Sequence, residues 1–165
     1  MEIHRILTGL IFLILSGCTA KEEIWKSHLE VSEAGWAYGQ ILETEWTPEE
    51  DIPGSQLLID VIHSGDFKYQ NLYLTGQVKT DESDHLRQDT FSMQLATPNS
   101  GRWLGDRISE NQIRKTNTIG LLPPIRKGQT LRLSLQQFSR DSILTEISEI
   151  GWRIIPAKDE GAVNQ

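Results

Sequence analysis

The sequence predicts an all-β fold, an antiparallel β-sandwich of about seven to eight strands with little helix. Three observations carry this: apolar and polar residues alternate at a period of two along most of the chain, turn clusters interrupt the alternation at regular spacing, and the 3.6-residue period of a helix is nearly missing. Alternation implies antiparallel sheets, each with one packed face and one wet face. Ig-like, jelly-roll and C2-like strand orders all satisfy this pattern.

The strands can be justified one by one. A weaker candidate spans 39–46, where Leu42 and Trp46 are set among polar residues. Leu57, Ile59 and Val61 alternate with Leu58, Asp60 and Ile62 until the turn cluster His63-Ser64-Gly65-Asp66, and so much apolar content reads as a central strand. Leu72, Leu74, Gly76 and Val78 face one side and Tyr73, Thr75, Gln77 and Lys79 the other, ahead of the polar loop Asp81-Glu82-Ser83-Asp84. Phe91, Met93 and Leu95 repeat the pattern, and 112–121 is a second weaker candidate. The clearest alternation is Leu131, Leu133, Leu135 against Arg132, Ser134, Gln136. Ile143, Leu144 and Ile147 have helical spacing, enough for one or two turns. Ile150, Trp152 and Ile154 close the series before Pro156 and place Trp152 in the core.

Composition limits what such a domain does. A chain of 165 residues, 38% hydrophobic and 24% charged, supports one folded domain. Its net charge of −7 and pI near 5.1 repel nucleic acid and anionic membrane surfaces, so neither is expected as a charge-driven partner. The single cysteine, Cys18, lies beside the N-terminal apolar run, which leaves the rest of the chain without a disulfide, a thiolate zinc site or a Cys nucleophile.

That apolar run, residues 6–15, would rise only about 15 Å as a helix, half of a bilayer core, and reads as the h-region of a signal peptide. It ends in Leu15, Ser16, Gly17 and Cys18, which resembles the bacterial lipobox: an apolar residue, two small ones that let a peptidase reach the backbone, then a thiol that takes a diacylglyceryl group. Several acyl chains anchor firmly where one holds only marginally. The expected organisation is a signal peptide over 1–17, a lipid-anchored tether over 18–35, the sandwich over 36–156 and a polar tail over 157–165. Lys21-Glu22-Glu23 resembles the signal that sends some lipoproteins to the cell surface, and no Asp follows Cys18 to retain the protein at the inner membrane. The expected location is the cell outer membrane, held by the lipid on Cys18, with no other cofactor.

Catalytic constellations are missing from the sequence. His4, His28, His63 and His85 stand at no metal-ligand spacing, no Gly-x-Ser-x-Gly elbow occurs, and Gly101-Arg102-Trp103-Leu104-Gly105 lacks the Lys-Ser/Thr pair of a phosphate loop. Glu43 and Glu45 fall on one side of a strand roughly 7 Å apart, which any solvated acidic face provides. No enzyme activity and no metal site are expected. Aromatic residues give the remaining signal. Trp103, beside Arg102 and between two glycines, and Tyr69, at the head of Tyr69-Gln70-Asn71-Leu72-Tyr73, form the candidate partner surface, suited to a protein hot spot or to stacking against a sugar.

These segments also carry a resemblance. The lipobox, then Lys68-Tyr69-Gln70-Asn71-Leu72-Tyr73-Leu74, Asp89-Thr90-Phe91, Gly101-Arg102-Trp103-Leu104-Gly105, and Gln137, Arg140, Leu144, Ile147, Ile150 and Gly151 occur in the order and spacing of the gliding-motility lipoprotein H (GldH) family. The resemblance implies a membrane-anchored, non-enzymatic component of the bacterial gliding machinery and its associated envelope secretion apparatus. The partners it implies are other gliding or secretion lipoproteins. The alternative reading is a carbohydrate-binding β-sandwich surface lipoprotein.

Overall fold

The computed structural model describes residues 23–81 and 87–157. Among them it contains strands and no helix: β1 (Trp25–Glu30), β2 (Trp36–Ala37), β3 (Ile41–Trp46), β4 (Ser55–Ser64), β5 (Asn71–Thr80), β6 (Arg87–Gln94), β7 (Asp106–Arg107), β8 (Gln112–Leu122), β9 (Leu131–Gln137), β10 (Ile143–Leu144) and β11 (Ile147–Pro156). Every pairing is antiparallel. One sheet runs β1-β11-β4-β8-β7, a second runs β3-β9-β5-β6, and β10-β2 forms a two-residue ribbon. The three two-residue strands aside, eight strands remain, consistent with the expected antiparallel β-sandwich of about seven to eight.

The core lies between the two large sheets. Leu57, Ile59 and Val61 of β4 and Ile150, Trp152 and Ile154 of β11 meet Leu72, Leu74 and Val78 of β5 and Leu131, Leu133 and Leu135 of β9 in one buried cluster. These are the residues the alternation assigned inward, and Trp152 is fully buried among them. A Cβ on Gly76 would stand 3.7 Å from the Trp152 indole, in ordinary contact, so β5 has room there for a methyl while a larger side chain would meet the ring.

Three features differ from the sequence expectation. First, residues 24–35 are not tether: β1 pairs with β11 along its whole length, with Trp25 opposite Ile154 and Glu30 opposite Glu149. Its inward set is Trp25, Ser27 and Leu29, and the polar Ser27 hides the alternation; its hydroxyl bonds Thr44 on β3 at 3.0 Å, where the sheet edges meet. Second, Ile143, Leu144 and Ile147 are not helical. The first two form β10 against Ala37 and Trp36, and Ile147 opens β11 opposite His63, with Glu146 at φ 67° turning the chain between them. Third, Leu58, Asp60 and Ile62 are buried although they face away from the core. On that face the Arg153 side chain lies across Asp60: Nε stands 2.6 Å from Oδ2, and Nη2 donates to Oδ1 at 2.8 Å. Thr116 donates to the same Oδ1 at 2.5 Å.

The signal peptide over 1–17, the lipobox residues Leu15, Ser16, Gly17 and Cys18, and Lys21 and Glu22 lie outside the described residues, as does the polar tail from 158 onward.

Candidate functional site

The sandwich has two chemically distinct ends. At the entry end, Trp25 at the start of β1 stacks on Trp46 at the end of β3, with ring centroids 5.4 Å apart. Next to them a cavity of about 980 Å³ is lined in part by Glu23, Glu49, Glu50 and Asp51. The far end holds the last residues of β1, β4 and β9 and the first residues of β3 and β5. A ten-residue strand such as β4 separates the two ends by about 33 Å.

The far end carries a groove of exposed aromatic residues. Tyr38, Tyr69, Tyr73 and Phe138 line a groove of about 540 Å³ together with Asn71, Ser139 and Arg140. The four rings are 54%, 36%, 48% and 56% exposed. Each is placed by a definite local cause. Tyr73 is an outward position of β5, and its carbonyl accepts the N–H of Phe138 at 2.8 Å, which sets that ring beside it. Gln137 is completely buried, and both ends of its amide shape the loop that follows: Oε1 accepts from the Ser139 N–H at 2.8 Å, and Nε2 donates to the Asp141 carbonyl at 3.2 Å. Tyr38 is fixed by its N–H donating to the Ser142 carbonyl at 2.7 Å. Tyr69 donates its hydroxyl to Asp141 at 2.9 Å, and Lys68 pairs with the same carboxylate at 2.5 Å. Hydrogen bonds from Lys68 and Tyr69 hold the Asp141 carboxyl below its ordinary range, and Asp141 in turn raises the Lys68 ammonium.

Of the three residues singled out from sequence, Tyr69 lines this groove and the other two do not. Trp103 is half-buried. Its indole N–H donates to the Gly65 carbonyl at 3.2 Å, and its ring meets His63 edge-on at 4.6 Å. It is therefore a packing residue that closes the far end rather than a presented platform. Arg102 is exposed on the loop before it. The two glycines of the motif have separate causes: Gly101 sits at φ 65° in the tight turn, while a Cβ on Gly105 would come within 2.2 Å of the Arg114 carbonyl oxygen. Trp103 and Tyr69 belong to one chain of ring contacts, Trp103–His63–Phe67–Tyr69, with successive spacings of 4.6, 5.8 and 5.9 Å. His63 at its centre is fully buried, its Nε2 has no hydrogen-bond partner among the described residues, and burial holds its imidazole below the ordinary 6.5.

Sequence reasoning did not reach Tyr38, Phe138, Arg140 or the groove role of Tyr73. Parity was available for two of them: Tyr73 alternates outward from Leu72 and Leu74, and Phe138 continues the outward set Arg132, Ser134, Gln136. Tyr38 and Arg140 lie on turns, where periodicity gives no facing. Glu43 and Glu45 do share the outer face of β3, and Glu45 is bound by Arg132 at 2.5 Å, in keeping with the solvated face expected of them. Among the described residues no group of three or more His, Cys, Asp or Glu is placed to hold a metal ion.

Comparison with solved structures finds likeness to dimeric latent PorU from Porphyromonas gingivalis, at 9% identity and a TM-score of 0.32. It covers 86% of this chain and 14% of that one. A structure of infectious bursal disease virus, Gx strain, is similar at 11% identity and a TM-score of 0.21, covering 84% and 34%. The chain thus spans well under half of either protein. Comparison with curated proteins finds no match. The family model described as GldH lipoprotein matches residues 23–154, which runs from the entry of β1 nearly to the end of β11 and takes in the groove and the Gly101–Gly105 turn. With nearly the whole sandwich inside that match, the chain belongs to the GldH lipoprotein family.

Proposed function

We propose that this chain is a lipid-anchored, non-enzymatic component of the bacterial gliding-motility machinery and its associated envelope secretion apparatus. In this reading a diacylglyceryl group on Cys18 holds it at the outer membrane, and it works by associating with other gliding or secretion lipoproteins. The observation that carries the reading is the family match over residues 23–154. The geometry adds a mechanical reason. Because β1 belongs to the sandwich, only four residues separate Cys18 from Glu23, and the extended chain between them reaches about 18 Å at most. A lipid on Cys18 therefore holds the entry end close to the bilayer. The acids around that end are repelled by anionic headgroups, so attachment falls to the lipid rather than to charge.

Deleting the gene from its host and restoring either the native form or Cys18→Ala tests this. Loss of surface movement and of adhesin export on deletion, restored by the native form and not by Cys18→Ala, is the expected result. Unchanged movement and export in the deletion strain would overturn the reading.

A further inference from the structure

Six of the eight large hydrophobic residues exposed among the described residues gather around the far end: Tyr38, Ile41, Tyr69, Tyr73, Phe138 and Ile143. The groove itself is narrower in chemistry than this patch. Its apolar lining consists of four aromatic rings and no aliphatic side chain, and the remaining lining is an amide, a hydroxyl and a guanidinium from Asn71, Ser139 and Arg140.

The outer face of the four-stranded sheet continues from the groove in the same style. The register places Gln136, Thr75 and Thr90 in one row and Ser134, Gln77 and Gln88 in the next, all uncharged hydrogen-bonding side chains. On β3 the first row is completed by Ile41 and the second by Glu43, and the third row holds Glu45, Arg132 and Lys79. Nearer the groove, the Lys68–Asp141 pair neutralises itself. In a chain of net charge −7, the row next to the groove thus carries no charged side chain, and Arg140 is the charged group of the groove lining.

Half-exposed rings set beside amides and hydroxyls, next to an uncharged row, match one kind of ligand well. A pyranose ring offers flat patches of C–H on its faces, which lie against aromatic rings, and equatorial hydroxyls around its rim, which exchange hydrogen bonds with amides, hydroxyls and guanidinium. A protein anchor favours instead a dry, aliphatic or aromatic pocket that excludes water. The volume falls in the range of small-molecule sites. We propose that the groove formed by Tyr38, Tyr69, Tyr73 and Phe138 binds a short stretch of neutral glycan, with Asn71, Ser139 and Arg140 bonding its hydroxyls. The groove lies at the end opposite the chain entry, so a lipid on Cys18 would turn it away from the bilayer. The proposal goes beyond the gliding role and does not depend on it.

The test is calorimetric titration of the unlipidated chain with two sets of oligosaccharides. Chitotetraose represents the neutral sugar backbone of cell-wall glycan, and cello-, xylo- and manno-oligosaccharides represent surface polysaccharide. Saturable binding to at least one set is expected, weakened tenfold or more by Tyr73→Ala or Phe138→Ala and retained in Tyr73→Phe. Both positions are exposed, so the variants should melt within a few degrees of the parent, which a thermal scan checks. Absence of binding to every sugar, or binding that neither alanine variant weakens, overturns the proposal. So does a result in which both variants lose a co-purifying protein from native envelopes while no sugar binds, which would make the groove a protein interface.

Discussion

Removing the Arg153 side chain is predicted to cost this fold more than removing most of its surface charges together. Asp60 is 3% exposed and Arg153 23%, although both point away from the core. Two contacts at 2.6 and 2.8 Å join them, and Thr116 adds a third bond to the carboxylate. At such separations and an effective dielectric near 20, the Coulomb attraction is about 6 kcal/mol. Desolvation of both ions offsets much of it, but Arg153→Met leaves the Asp60 carboxylate buried with its Thr116 bond alone, whereas Asp60→Val leaves Arg153 partly exposed and 3.5 Å from Glu23. Arg153→Met should therefore cost about 3 kcal/mol, and Asp60→Val somewhat less. Urea unfolding followed by Trp fluorescence, on the unlipidated chain, measures both. For a domain of this size the loss corresponds to roughly 10 °C in melting temperature. The double variant tests the cause, because it removes both charges at once. Its cost should fall about 2 kcal/mol or more short of the sum of the singles. Single costs below about 1 kcal/mol, adding without coupling, would show the pair to be solvated and refute the reasoning.

The other predictions concern the motif glycines, the half-buried tryptophan and the buried histidine. Gly105→Ala should destabilise by about 2 kcal/mol or more, because its Cβ meets the Arg114 carbonyl oxygen and its φ of 107° strains any side chain. Gly76→Ala should be neutral or stabilising by about 0.5 kcal/mol, since its Cβ finds ordinary contacts at 3.5–3.7 Å, whereas Gly76→Leu should cost about 1–3 kcal/mol by crowding Trp152; chemical denaturation separates the three glycine variants. Trp103→Ala should lower stability by about 2 kcal/mol through lost packing on His63, so a melting curve must accompany any binding assay on it. His63, held below 6.5 by burial, binds fewer protons folded than unfolded. Its contribution is complete above about pH 6.5 and is lost as pH falls from there through the folded value; His63→Phe should flatten that slope in denaturation curves taken from pH 7.5 to 5.

How far the sequence reached follows from where burial and periodicity coincide. Leu131, Leu133 and Leu135 alternate cleanly because β9 has one packed and one wet face, and the sandwich class follows from several such strands. The pattern weakens where faces are not so divided. In β1 the inward Ser27 hides the strand, because its hydroxyl is satisfied by Thr44 at the sheet edge. In β4 the charged Asp60 reads as solvent-facing, and only the three-dimensional neighbours Arg153 and Thr116 show that it is covered. Ile143, Leu144 and Ile147 matched helical spacing because a two-residue strand, a turn at Glu146 and a new strand happen to place apolar residues three and four apart. For the far end, the sequence named Tyr69 and took the glycine-flanked Trp103 as its companion. Flanking glycines mark a tight turn, however, and that turn folds the indole inward onto His63 and Gly65. The rings that do line the groove come from 38, 69, 73 and 138, and their convergence depends on the register of β5 against β9, which no local pattern encodes.

The central claim is that a lipid on Cys18 places this sandwich within the gliding and secretion apparatus, and crosslinking in native envelopes tests it most directly. A tagged copy, crosslinked, affinity-purified and examined by mass spectrometry beside a Cys18→Ala strain, is predicted to enrich other gliding or secretion lipoproteins, with that enrichment lost in the variant. Recovery of only bulk outer-membrane proteins from both strains would contradict the account.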